Sequence, residues 1–206
     1  MAEKKTGVIT GATSGIGAAF AKAFAARNYD LILTGRRESK LNELAQDIQN
    51  QFQVSVEKQL IELAESEQVE QFISILQRQQ IDLLINNAGF GMRSTFLETN
   101  YETLEQMVTV HSTVPMQLMH ALLPGMKERR SGIIINVASI AGFFPLPQSG
   151  VYSATKSFLT LLSESLHVEL EGTGVQVQAL CPGMTITDFH SRLGKDPERF
   201  YKKEVR

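Results

Sequence analysis

Tyr152 and Lys156 stand four residues apart in Tyr152-Ser153-Ala154-Thr155-Lys156, and Ser139 precedes Tyr152 by thirteen positions. A tyrosine and a lysine at i and i+4 share one helix face, so the ammonium can lie against the phenol and favour the phenolate. That makes a side chain with an ordinary pKa of about 10 a candidate acid/base at neutral pH. Ser139 follows the apolar run Ile133-Ile134-Ile135-Asn136-Val137. Its hydroxyl is a donor suited to an oxygen on which charge develops, and it can equally cap a turn.

A second constellation lies upstream, in Thr10-Gly11-Ala12-Thr13-Ser14-Gly15-Ile16-Gly17. Gly11 permits a tight turn, and Gly15 and Gly17 let backbone amides approach a pyrophosphate at the positive N-terminus of a helix. Three glycines alone occur for steric reasons, but here a strand reads before them and a helix after. The second strand ends in Gly35-Arg36-Arg37. In a dinucleotide fold an acid at this point accepts from the ribose 2′-hydroxyl, whereas arginine pairs with a 2′-phosphate. Arg36 and Arg37 therefore point to NADP over NAD, against the alternative of a solvated basic pair at a strand end.

These groups need a scaffold that brings strand ends together, and the apolar pattern supplies one. Strands are predicted over 7–10, 31–34, 54–60, 82–85, 132–137 and 175–180, with helices over 15–27, 38–51, 67–79, 101–129 and 150–171. Most strands are continuous apolar runs, which suits a parallel sheet covered on both faces. The reading is a three-layer α/β fold, a doubly wound Rossmann-type parallel sheet, in one domain spanning 1–206.

Composition narrows the chemistry. Apolar residues make up 43% of the 206 residues and charged residues 20%, which is globular. A net charge of -2 leaves no excess of positive charge for nucleic acid or a polybasic membrane contact. The single cysteine, Cys181, makes no internal disulfide, and residues 1–7 do not read as a secretory leader, so the cytoplasm is the expected location. The four histidines lack cysteine or carboxylate partners at metal-ligand spacing, so no metal is expected.

Taken in order, the glycine motif at 10–17, Asn86-Asn87-Ala88-Gly89, Ser139, Tyr152-x-x-x-Lys156 and Pro182-Gly183 resemble the short-chain dehydrogenase/reductase family over nearly the whole chain. The resemblance implies a nicotinamide cofactor and reversible hydride transfer between an alcohol and a ketone or aldehyde. It implies that Tyr152 moves the hydroxyl proton, that Ser139 hydrogen-bonds the reacting oxygen, and that Lys156 holds the nicotinamide ribose and keeps Tyr152 acidic. By the same carry-over Gly11, Thr13, Ser14, Gly15, Ile16 and Gly17 cradle the phosphates. Asn87, Ala88 and Gly89 border the adenosine ribose, and Pro182, Gly183 and Thr187 lie near the nicotinamide. It further implies homo-oligomers paired through the helices at 101–129 and 150–171.

The chain departs from the family pattern at three places. His111 stands where an asparagine commonly joins the proton relay. Pro115 lacks the amide that would reach the His111 carbonyl, so either that carbonyl holds a relay water or His111 fills a kinked helix. Glu62 stands where an aspartate often borders the adenine. The chain stops at Arg206, and 185–206 reads as part of a substrate loop, with the sixth strand, at 175–180, expected as an unprotected edge. Phe90, Met92 and Phe143-Phe144-Pro145-Leu146-Pro147 favour a lipophilic carbonyl substrate. The rival reading is a non-catalytic dinucleotide-binding or interaction protein.

Overall fold

Short runs such as Val8-Ile9, Leu31-Ile32-Leu33 and Leu83-Leu84-Ile85 are apolar at successive positions, so both faces of each strand must be covered. The computed structural model, which describes residues 4–185, resolves that demand as one parallel sheet in the order β3-β2-β1-β4-β5-β6. The strands are β1 (Thr6–Ile9), β2 (Asp30–Gly35), β3 (Val56–Leu60), β4 (Leu83–Asn86), β5 (Gly132–Val137) and β6 (Val175–Leu180). The helices are α1 (Gly15–Ala25), α2 (Glu38–Gln51), α3 (Ser66–Leu76), α4 (Tyr101–Val108), α5 (Val114–Glu128) and α6 (Gly150–Glu169).

Alternate side chains of each strand build two cores. Ile9, Leu31, Leu33, Leu83 and Ile85 meet Leu41, Leu44 and Ile48 of α2 and the alanines of α1. Val8, Ile32, Leu84, Ile134 and Val177 meet Val69, Phe72 and Leu76 of α3, Leu118 and Met126 of α5, and Leu159 of α6. Three layers follow from this alternation. At the sheet's edges the pattern loosens: β6 buries Val175 and Val177 and exposes Gln176 and Gln178. Among the described residues β6 is an edge strand.

The helix predicted over 101–129 is three pieces. Val108 runs into a π-helical turn at Thr109–Thr113, in which the Val114 amide reaches back to the Thr109 carbonyl, before α5 resumes. Pro115 has no amide for the carbonyl four residues back, and a widened turn accommodates that loss. The turn carries His111 to the inside, where it is 1% exposed. The methionine face of these helices is also mixed: Met107, Met119 and Met126 are buried, whereas Met116 is half exposed. The segment 186–206, including Thr187 and nearly all of the expected substrate loop, lies outside the described residues.

The order reverses between β1 and β4, which diverge to their helices on opposite sides and leave a crevice at their carboxyl ends. Close packing sets the glycines there. Gly11 has φ +65, and a Cβ would sit 2.7 Å from the Ala88 Cα. At Gly17 a Cβ would lie 2.4 Å from Asn87 Nδ2 and 2.5 Å from the Gly11 carbonyl oxygen. Gly17 therefore lets α1 press on the β4 exit. Gly17→Ala should lower stability by about 1–3 kcal/mol through overpacking, whereas Gly150→Ala, where a Cβ meets nothing within 4 Å, should be close to neutral in thermal unfolding.

Candidate active site

The crevice floor is stapled by backbone and polar side chains. The Thr10 hydroxyl accepts from the Asn87 and Ala88 amides, each at 3.0 Å, and donates to the Ile85 carbonyl at 3.3 Å. Asn87 Nδ2 donates to the Thr10 carbonyl at 3.0 Å and to the Gly11 carbonyl at 2.9 Å. These bonds hold the glycine turn and the Asn87-Ala88-Gly89 segment as one piece. Above them, α1 begins at Gly15 with no side-chain cap from Ser14 and no acid in its first turn. An uncapped helix N-terminus presents amides and partial positive charge to the crevice.

At the β2 end the two arginines are arranged differently from each other. Arg37 donates to the Thr13 carbonyl at 3.2 Å and to the Thr13 hydroxyl at 3.1 Å. Arg36 pairs with Glu62 at 3.0 Å, and the other Glu62 oxygen accepts from the Ala64 amide at 3.2 Å. Glu62 is thereby an anchor for Arg36, a link the sequence reading did not make between the two positions. The pair is solvent-exposed and contributes ~1 kcal/mol or less to stability.

The reactive groups gather where β5 ends. Ser139 leaves β5 into a short helical turn, Ile140–Phe143, and its Oγ accepts from the Ala141 amide at 3.1 Å. The same hydroxyl hydrogen-bonds Tyr152, so it is both the turn cap and a partner of the phenol. Lys156, one turn later on α6 and buried, donates to the Val137 carbonyl at 2.8 Å. Its Nζ lies 5.8 Å from the centre of the Tyr152 ring.

This arrangement changes the expected electrostatics. Burial raises the Tyr152 phenol above its ordinary 10, and the Ser139 bond pulls it part of the way back. The Lys156 ammonium is committed to the Val137 carbonyl, and desolvation lowers its pKa to about 8, with Cys181 opposing. The expected phenolate is therefore replaced, in the protein alone, by a protonated phenol beside a lysine that titrates within reach of neutrality.

His111 is at the centre but fully engaged. Its Nε2 accepts from the Phe90 amide at 2.9 Å and its Nδ1 lies 3.2 Å from Thr155 Oγ1. Its ring meets Phe90 and Tyr152 edge-on, with centroids 5.4 Å and 5.7 Å apart. Burial and the nearby Lys156 charge hold its pKa well below 6.5. The imidazole expected to fill a kink is thus a neutral bridge between two segments.

Apart from Thr10 and Thr155, these groups line one cleft of about 780 Å³. It contains Gly11, Thr13, Ser14, Gly15 and Ile16 at one end, Arg36, Arg37 and Glu62 beside them, and Ser139, Tyr152 and Lys156 at the other, with Pro182 and Gly183 opposite. Gly17 does not line the cleft, and Thr187 lies outside the described residues. Phe90, Met92, Phe144 and Leu146 form the apolar wall; Phe143 turns outward and is 64% exposed. Thr10, Thr155 and Ser149 were absent from the sequence-derived site, and Thr155 carried only one signal, its position between Tyr152 and Lys156. The uncapped helix, the paired arginines and the cleft's reach from one to the catalytic cluster fit a nicotinamide dinucleotide.

Comparison with known proteins agrees with this geometry. A sequence model described as short chain dehydrogenase matches residues 5–198. An uncharacterized oxidoreductase of Staphylococcus saprophyticus is 37% identical over 204 residues, covering 95% of this chain and 87% of its own. A short-chain dehydrogenase from Sphingobium yanoikuyae, solved in complex with NADPH, superposes with a TM-score of 0.90 at 35% identity, over 94% of this chain and 76% of that one. A bulky-bulky ketone specific alcohol dehydrogenase from Comamonas testosteroni gives 0.85 at 32% identity, over 88% and 73%. The fold and cleft define a Rossmann-type oxidoreductase. The chain belongs to the short-chain dehydrogenase/reductase family, whose members act on carbinol and carbonyl groups.

The lowered Lys156 pKa has a measurable consequence. Between about 8 and 10.5 the unfolded chain holds a proton that the folded chain has released, so folding stability rises with pH in that window. Lys156→Met lacks this contribution. The stability of the wild type relative to the variant should be level below pH 8 and improve towards pH 10.5, as followed by urea unfolding in steps through that range.

Proposed function

We propose that this chain is an NADP-dependent carbonyl reductase, running reversibly as an alcohol dehydrogenase, with Tyr152 as the acid/base. The observation that carries the reading is the Ser139 hydroxyl bonded to a protonated Tyr152 phenol directly above the buried Lys156 ammonium. A bound nicotinamide supplies the hydride in reduction and accepts it in oxidation.

The chain's own residues handle the oxygen. In reduction Tyr152 gives its proton to the carbonyl oxygen as the carbon receives hydride, leaving a phenolate and a neutral alcohol. Ser139 donates a hydrogen bond to the same oxygen, stabilising the charge that develops there before the proton arrives. Lys156, with a pKa of about 8, stabilises the phenolate through its charge and can return the proton. Its ammonium is also the group that would hold the nicotinamide ribose.

For the cofactor, Gly11 to Ile16 with the α1 amides hold the pyrophosphate, and Asn87 to Gly89 border the ribose. Arg36 and Arg37 supply two guanidinium groups for a 2′-phosphate, and Thr13 lies against Arg37; Glu62 orients Arg36 rather than reading adenine. The NADPH bound by the Sphingobium relative supports the choice of NADP. Pro182 and Gly183 complete the nicotinamide end, and Thr187 is assigned to its carboxamide. Phe90, Met92, Phe144 and Leu146 select a lipophilic ketone or aldehyde. The Comamonas relative's bulky ketone specificity supports that class.

One domain carries cofactor, catalytic groups and substrate wall. The outer faces of α4 and α6 expose Tyr101, Val108, Phe158, Leu161 and Val168, and Met116 lies exposed on α5; this apolar surface fits pairing with a second copy. No helix among the described residues is long and apolar enough to cross a membrane. A reducing cytoplasm suits a chain with the one thiol at Cys181.

Purified protein should consume NADPH with a bulky aryl ketone, and Tyr152→Phe should lower turnover roughly 10²- to 10⁴-fold with NADPH affinity retained by fluorescence titration. Binding without turnover in the wild type would instead support a non-catalytic nucleotide-binding role. Arg36→Ala should weaken NADPH binding roughly tenfold or more, as expected for losing a charge-assisted hydrogen bond, while NADH binding stays close to wild type.

A further inference from the structure

The direction of each hydrogen bond at His111 follows from its partners. The Phe90 amide can only donate, so Nε2 is bare. The Thr155 hydroxyl spends its proton on the Tyr152 carbonyl at 2.8 Å, so at 3.2 Å it accepts from Nδ1–H. Both ends specify the same neutral tautomer. An added proton would set Nε2–H against the Phe90 N–H, two donors without an acceptor, inside a site that already buries the Lys156 charge. The titratable groups around the ring are Tyr152 and Lys156 of α6, and neither offers it a negative charge.

The two partners belong to different parts of the site. Phe90 opens the segment that leads through Met92 and forms the apolar wall. Thr155 lies within the α6 turn that carries Tyr152 and Lys156. Gly89 allows the approach, since a Cβ there would lie 3.1 Å from Nε2. The ring also packs edge-on against both Phe90 and Tyr152, so it fixes a distance as well as two hydrogen bonds.

We infer that His111 is a positioning residue: as a neutral latch it ties the Phe90–Met92 wall to the Tyr152 turn, and so sets how a lipophilic carbonyl substrate is seated against the acid. It carries no proton in the reaction. This rests on the proposed reductase activity, and it differs from a relay role in which the imidazole or a water beside it exchanges protons with Lys156.

Nitrogen-15 spectra of histidine-labelled, cofactor-free protein test the latch without turnover. The His111 signals, identified by their loss in His111→Gln, should show protonated Nδ1 and bare Nε2, unchanged on either side of pH 6.5. Protonated Nε2, or titration near that value, overturns the inference. Kinetics then separate the roles. A glutamine amide reaches as far as Nε2 and can keep the Phe90 bond, whereas asparagine reaches only as far as Nδ1 and loses it. His111→Asn should raise the KM for a bulky ketone roughly tenfold with kcat changed little, and His111→Gln should restore KM. Equal loss of kcat in both variants with KM unchanged, or disappearance of an acidic limb of the pH profile in His111→Gln, overturns the latch. Absence of wild-type turnover would remove the reductase reading and leave the spectra to decide the latch alone.

Discussion

A buried ammonium must be satisfied or discharged, and Lys156 is held to the Val137 carbonyl at the end of β5. That bond fixes α6 against the strand whose next residues are Ala138 and Ser139. Because Tyr152 is one helical turn away on the same face, the position of its phenol over the lysine and beside the serine follows from the anchor. Removal from water then sets the chemistry, pushing the phenol up from its ordinary 10 and the ammonium down to about 8, so that the phenol holds its proton more tightly than the lysine does. A phenolate formed in that setting is a stronger base than the lysine beside it, so a proton on Lys156 can pass back to Tyr152.

The rest of the molecule brings a second site to this one at a fixed distance. The sheet reverses order between β1 and β4, and the Thr10 and Asn87 bonds lock the two strand exits together. Deeper in the same layer Asn86 donates to Asn136 at 2.8 Å, and Asn136 donates to Ser163 of α6 at 2.9 Å, so β4, β5 and α6 share a buried polar chain. The uncapped N-terminus of α1 and the phenol are therefore parts of one crevice.

Much of this was legible in the chain. Continuous apolar runs such as Leu83-Leu84-Ile85 specify strands buried on both faces, and five of the six predicted strands are shifted by no more than one residue or coincide, with β3 starting two residues later at Val56. Tyr152, Lys156, Ser139 and the glycine turn were found because their chemistry depends on types and local spacing. What depends on long-range contact was not. The Arg36–Glu62 pair, the Thr10–Asn87 staple and the Phe90–His111–Thr155 bridge join residues 26, 77 and 21 or 44 positions apart, and no local period encodes them. The phenolate expected from Tyr152 and Lys156 gave way for the same reason: Val137, distant in sequence, holds the ammonium that the pair alone would have placed on the phenol. The π-helical turn at Thr109–Thr113 needed both Pro115 and the closing of His111 onto Phe90 to be visible.

The central claim is that hydride arrives at a carbonyl carbon in this cleft while the Tyr152 proton arrives at its oxygen. Single-turnover reduction of a bulky aryl ketone with NADPH deuterated at the transferring position of its ring tests that claim most directly, with the product read by mass spectrometry. Deuterium should be bonded to the carbinol carbon, delivered to one face. Deuterium left on the nucleotide, with the nucleotide bound and the ketone unchanged, would contradict it.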